Sequence, residues 1–332
     1  MRKYRKLLRL LLALLACDLG VRAFANTWEA HSPDDYAMKL AGCANAPRSF
    51  VVVGGSPVSE GIDPDVLGPN GYAMGLPGGT TSEFYHAVLH GCRVPPKRLI
   101  YGITASDLND SRHEPHGPAS LMTAGDAFTW AVERPDSREW VLRQFALARL
   151  QRLSGIYRHR HGVRMWASLG ADSCFPGACE ESVREAKELH AYADTLRTGT
   201  GYAPAAGFAN QRYDLVKQAG AKLAPFAFLD RYRTGSHRQY LAKLIDWAKA
   251  NGVDLWLVDM PVTADLEAQY PEAFSEYRGL LAETGRSCRV LRAHRDAVGL
   301  TDAGFADTIH LNCVGAQVLS RWLRDRLAED GR

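Results

Sequence analysis

The chain has 332 residues, 46% of them hydrophobic and 23% charged, which is enough for one large core or two modest ones and leaves little room for dominant disorder. The formal net charge is +3, yet Arg2, Lys3, Arg5, Lys6, Arg9 and Arg22 precede Asn26 together with one acid, Asp18. The body therefore keeps 34 of the 40 basic and 36 of the 37 acidic residues. It has no clustered, uncompensated Lys and Arg, which sets nucleic acid aside as a partner.

Residues 1–25 read as an export signal: the basic start "MRKYRK", the apolar "LLRLLLALLA", then Ala23-Phe24-Ala25 as a cleavage pattern. Two further export readings stay open, lipid attachment at Cys17 after "LLAC" and an uncut membrane anchor. Arg9, Asp18 and Arg22 count against the anchor, because a spanning helix needs roughly 20 mostly apolar residues. A buried N-terminal helix is the non-export alternative. Export would place the body in the periplasm, the cell envelope or outside the cell, either free or membrane-anchored through this segment. Besides Cys17 there are six cysteines, Cys43, Cys92, Cys174, Cys179, Cys288 and Cys313, an even number that suits disulfide pairing in an oxidising compartment. Their connectivity is not readable, although "CFPGAC" brings Cys174 and Cys179 close, and six buried thiols are an equal alternative. No spacing matches a zinc pattern, so no structural metal is expected.

Along the rest of the chain, the runs "SFVVVGG", "NGYAMGL", "RLIYGIT", "DLWLVDMP" and "CRVLRAH" have the length and flanking turns of strands buried on both faces. Helical spacing marks "TSEFYHAVLHG", "DSREWVLRQFALARLQRL", "EESVREAKELHAYADTL", "SHRQYLAKLIDWAKANG" and "VGAQVLSRWLRDRLAED". Thr81-Ser82 and Ser236 are the expected N-caps, Gly91 and Gly252 the expected stops. Strand alternating with helix predicts an α/β fold: a three-layer α/β/α sandwich on a mostly parallel, flavodoxin-like sheet, spanning 40–332. Residues 109–235 break the alternation and read as a largely helical insertion, able to lean over the strand ends as a lid or specificity wall.

Ser56, in "FVVVGGSPVS", stands where a buried strand breaks into a loop, and Gly54 and Gly55 give the backbone room to bend. The segment is not GxSxG, and by itself it is equally a strand-ending turn. A serine nucleophile needs a base, and the base needs a group that fixes its tautomer. In "GFADTIHLNCVGAQVL", Asp307 and His310 lie three apart before the last helix, so the carboxylate can hold Nδ1–H and leave Nε2 for a hydroxyl. Alone, the same residues are a helix cap and a loop histidine.

Taken together, "VVVGGS" after the first strand and "DTIHLN" before the last helix resemble the SGNH (GDSL-like) hydrolase superfamily. The resemblance implies a triad of Ser56, His310 and Asp307. "YAMGLPGGTT" is similar to the family's second block and puts Gly75 in the oxyanion hole with the Ser56 N–H. "LIYGITASDLND" falls at the third block but lacks Gly-x-Asn-Asp, so Ser106 stands at the asparagine position, with Asn109 as the alternative. The signal segment, "VDMPV" and "FADTIHLN" look like the exported branch that handles acyl groups on envelope polysaccharides and teichoic acids. The implied activity is that of a serine esterase or O-acyltransferase acting on acyl esters of a carbohydrate or envelope polymer, without cofactor. The rival is a catalytically silent glycan-binding or assembly subunit. Tyr202, Phe208, Tyr213, Phe226 and Phe228 would stack on sugars in either case, or serve the core. His113 with His116, and His159 with His161, read as surface histidines rather than metal ligands, and "GLPGGTT" lacks the lysine of a phosphate loop.

Overall fold

The computed structural model describes residues 2–23, 35–111, 123–133, 138–159, 195–196, 199–202, 204, 206–220, 226 and 228–329. In chain order the elements are α1 (Arg2–Ala23), α2 (Asp35–Ala44), β1 (Phe50–Gly54), α3 (Ser56–Gly61), α4 (Pro64–Leu67), β2 (Gly71–Gly75), α5 (Thr81–Gly91), β3 (Arg98–Ile103) and α6 (Ala105–Leu108). There follow α7 (Ala124–Glu133), α8 (Arg138–Leu153), α9 (Gly155–Arg158), α10 (Ala206–Ala209), α11 (Tyr213–Gln218) and α12 (Ser236–Ala250). The C-terminal part holds β4 (Asp254–Asp259), α13 (Ala264–Gln269), α14 (Pro271–Thr284), β5 (Arg289–Arg292), α15 (Arg295–Val298) and α16 (Cys313–Glu329).

The chain divides into two compact units, residues 1–38 with 122–194 and residues 39–121 with 195–332. In the first, α7 and α8 pack through Ala127, Trp130, Val141 and Phe145. There α1 is tied to the end of α8 and the start of α9, because Asp18 Oδ1 accepts hydrogen bonds from Ser154 Oγ at 2.9 Å and Ile156 N at 3.0 Å. The α1 leucines, Leu8 to Leu19, are solvent-exposed. Among the described residues no helix is long and apolar enough to cross a membrane.

The second unit is the α/β body. Its five strands are all parallel, in the order β2-β1-β3-β4-β5, and coincide with the five apolar runs of the sequence. The runs of β1 to β4 are apolar because helices cover both faces of the sheet there, whereas β5, expected to be buried on both faces, is an edge strand with Arg289 and Arg292 exposed. On one face Val52, Ile100, Trp256 and Val258 pack with Leu319, Leu323 and Leu327 of α16. On the other, Tyr101 meets Phe84 of α5 edge-on at 5.5 Å, and Tyr277 of α14 donates its hydroxyl to Ile103 O. The helix starts fall beside the expected caps. Thr80, not Thr81 or Ser82, caps α5 in a reciprocal box with Glu83, and Gly235 precedes α12, whose first N–H groups bond to Asp110 instead.

Strand order reverses between β1 and β3. Crevices at such a switch point, outside the carboxyl ends of the strands, are where open α/β sheets bind ligands.

Candidate active site

Ser56 is the first residue of α3, directly after β1 and Gly55. The sharp exit from the strand depends on close backbone approach, since a Cβ on Gly54 would lie 2.4 Å from Gly102 O of the neighbouring strand. Pro57 follows, and Val58 N and Ser59 N bond back to Gly55 O. The Ser56 N–H is thereby left at the open amino end of the helix, where backbone donors have no intrahelical acceptor.

The second half of the site is the loop before α16. Its ends are joined by a bridge between Phe305 and Leu311, with Ala306 N donating to His310 O at 2.8 Å. Asn312, 3% exposed, clamps the base of the loop. Its Nδ2 donates to Gln211 O, Ala303 O and Phe305 O, and its Oδ1 accepts from Val314 N and Gly315 N at the start of α16. Thr263 N, after β4, donates to Thr308 O at 3.0 Å and fixes the loop to the sheet. In the sequence Asn312 is only a letter of the motif, because one of its acceptors, Gln211 O, lies 101 residues away.

So held, the loop brings together residues 254 apart in sequence: His310 Nε2 lies 2.9 Å from Ser56 Oγ. His310 Nδ1 lies 2.7 Å from Asp307 Oδ2, while Asp307 Oδ1 accepts from Ile309 N and His310 N, each at 2.8 Å. The Asp307 pKa reflects opposing effects. Burial pushes it up, but the hydrogen bond and charge of His310 and the N–H groups of Ile309 and His310 outweigh burial and hold it below the usual carboxylate value. An ionised Asp307 accepts Nδ1–H, so Nε2 faces the serine as the acceptor.

Phe208 of α10 was grouped in the sequence with sugar-stacking or core aromatics. It lies against the His310 ring, with centroids 4.3 Å apart and planes inclined by 24°. Asn312 to Gln211 O and Tyr213 N to Phe305 O dock its segment on the same loop. Phe226 and Phe228 meet edge-on with each other, and Tyr213 and Tyr202 hydrogen-bond to Asp265 Oδ2 and Glu60 O. His113, His116, His161, Cys174 and Cys179 lie outside the described residues, whereas His159 is buried.

The oxyanion candidates are placed less uniformly. Gly75 ends the edge strand β2 opposite Gly54. Because Leu76 N donates to Gly54 O and Ala73 N to Thr200 O, alternate amides turn toward and away from β1, and the Gly75 N–H falls on the outer side. The structure therefore does not aim this donor at Ser56. Gly75 instead supports α3 from beneath: a Cβ there would lie 2.7 Å from Ser59 N and Cα, and its carbonyl accepts from the buried Lys39 Nζ, which also donates to Ser59 Oγ at 3.0 Å. Gly78, in the turn after β2 with φ +77°, is half-buried, and its N–H has no acceptor among the described residues.

After β3, Thr104 and Asp107 form a reciprocal capping box that starts α6 and buries both side chains. Ser106 between them stays half-exposed and lines a narrow cleft with Thr104, Met260, Val262 and Ile309. Asn109 is fully buried. Its amide donates to Phe228 O at 2.7 Å and its oxygen accepts from Ser111 N and Arg233 N, which makes it a tie between loops.

This unit is an α/β fold on a five-stranded, all-parallel sheet, with Ser56 following β1, Ser106 following β3 and Thr263 following β4. No protein-family model matches the chain, and no curated protein matches it.

Proposed function

We propose that the chain is a serine hydrolase of SGNH type, an esterase or O-acyltransferase acting on acyl esters of a carbohydrate or cell-envelope polymer. The observation that carries this reading is the unbroken hydrogen-bond chain from Ser56 Oγ through the His310 ring to Asp307. Ser56 Oγ attacks the ester carbonyl carbon as its proton passes to His310 Nε2, and the carbonyl electron pair moves onto oxygen. Collapse expels the alcohol, which takes the proton from His310 and leaves an acyl-serine. Water then attacks in an esterase, or a sugar hydroxyl in a transferase, with His310 again as base. The Ser56 N–H and Ser106 are the donors offered to the oxyanion, with Gly78 in place of Gly75 as the donor from the β2 turn; one such donor is typically worth roughly 10²–10³ in rate.

Phe208 covers one face of the base. Export, with residues 1–25 as signal or tether, belongs to the same proposal. A fluorophosphonate probe tests it: labelling of the full chain is expected, with loss in Ser56→Ala and His310→Ala. Labelling unchanged in Ser56→Ala would end it. A silent glycan-binding subunit would instead bind polymer without being labelled.

A further inference from the structure

The described residues contain one pair of cysteines in sulfur contact. Cys43, near the end of α2, and Cys92, the C-cap of α5, have Sγ atoms 3.1 Å apart, closer than two unbonded sulfurs ordinarily pack. Their chain positions are 49 residues apart, and both belong to the α/β body. Cys43 is 3% exposed, whereas Cys92 is half-buried. Cys17 and Cys313 are exposed, and Cys288 is not in contact with another sulfur.

We propose that Cys43 and Cys92 are a disulfide site, closed by thiol–disulfide exchange with an external disulfide such as oxidised glutathione or a dithiol oxidase. The thiolate of Cys92, the less buried of the pair, displaces one sulfur of the donor and forms a mixed disulfide. Cys43 then attacks the Cys92 sulfur and releases the donor's second sulfur. Two S–H bonds and one S–S bond break, one protein S–S bond forms, and the two protons end on the two donor thiols. In the second step Cys92 no longer carries a proton, and the nearby Arg48 guanidinium favours the Cys43 thiolate against the opposing effect of burial.

The bond would fasten α2 to the end of α5. On α2, four residues before Cys43, is Lys39, whose ammonium group holds Gly75 O and Ser59 Oγ beneath the helix that presents Ser56. The crosslink thus secures the helix that supports the nucleophile. Whether Ser56 is catalytic does not affect it.

The test equilibrates the folded full chain with glutathione at a poise of about −180 to −210 mV, traps thiols with N-ethylmaleimide in denaturant, and maps a tryptic digest without reduction. Peptide Leu40–Arg48 should appear crosslinked to the peptide ending at Arg93, with Cys288 and Cys313 alkylated. Alkylation of both Cys43 and Cys92, or pairing of either with another cysteine, would overturn the proposal. Thermal unfolding supplies a second reading. Reduction should lower the wild-type midpoint by roughly 5–10 °C for a loop of this length, and the Cys43→Ala/Cys92→Ala protein should lack that shift. An equal shift in both proteins would assign the effect elsewhere and sink the claim.

Discussion

Replacing Asp307 by Asn separates the orienting role of this residue from its role in holding the loop. Asp307 Oδ1 accepts two backbone N–H groups at 2.8 Å, and Oδ2 faces His310 Nδ1 at 2.7 Å. An asparagine keeps its oxygen on the two backbone donors, since the reverse orientation would set its amide hydrogens against both. Its nitrogen then donates to Nδ1, which forces the proton onto Nε2, and Nε2–H cannot take a proton from Ser56 Oγ. In a serine triad the same change costs about 10⁴ in turnover, or roughly 5.5 kcal/mol of transition-state stabilisation. Stability should change by less than about 1 kcal/mol, because both loop hydrogen bonds remain. The assay is the second-order rate of fluorophosphonate labelling at Ser56, beside p-nitrophenyl acetate turnover, with denaturant unfolding in parallel. A loss of less than tenfold in a folded Asp307→Asn protein would refute the argument that this carboxylate sets the tautomer.

Asn312→Ala strips the cap from α16 and removes the donor to Gln211 O and Ala303 O, while Phe305 O keeps Tyr213 N, so a loss of about 2–4 kcal/mol is expected; urea unfolding showing under 1 kcal/mol would contradict the clamp. Gly75→Ala should destabilise by about 1–3 kcal/mol and slow probe labelling, because the new methyl meets Ser59 backbone at 2.7 Å, one turn from Ser56; unchanged stability would show that α3 shifts freely. Asp259 is raised above the ordinary carboxylate value 3.8, chiefly by burial, against the opposing hydrogen bond of Tyr277 and charge of His294. Its ionised form therefore costs stability as pH rises through the folded pKa, so Asp259→Asn should gain stability at neutral pH, with the gain shrinking as pH falls toward 3.8. A gain independent of pH, followed by unfolding midpoints across that range, would rule out ionisation as its cause.

Four strands were legible because a strand covered on both faces is mostly apolar, and the runs at 50–54, 71–75, 98–103 and 254–259 stand out against amphipathic helices; the edge strand at 289–292, with Arg289 and Arg292 exposed, is not buried on both faces. The Ser56, Asp307 and His310 motif was legible as well, since strand exits and three-residue spacing are local properties. Helix starts slipped by one residue, Thr80 for Thr81 and Gly235 for Ser236, because caps compete with nearby side chains such as Asp110. Other features were tertiary from the outset. Whether the Gly75 N–H faces the nucleophile depends on which amide pairs with Gly54, a matter of register between strands. Ser106 and Asn109 differ because the carbonyl of Phe228, far along the chain, claims the asparagine. Phe208 reaches His310, and Cys43 reaches Cys92, only after separate segments dock. Composition and periodicity thus determined the layers and the polar residues at strand ends, since both are set by burial within a few residues. Which of those groups touch, and which are already occupied, was decided by packing between segments distant in sequence, which no local pattern encodes.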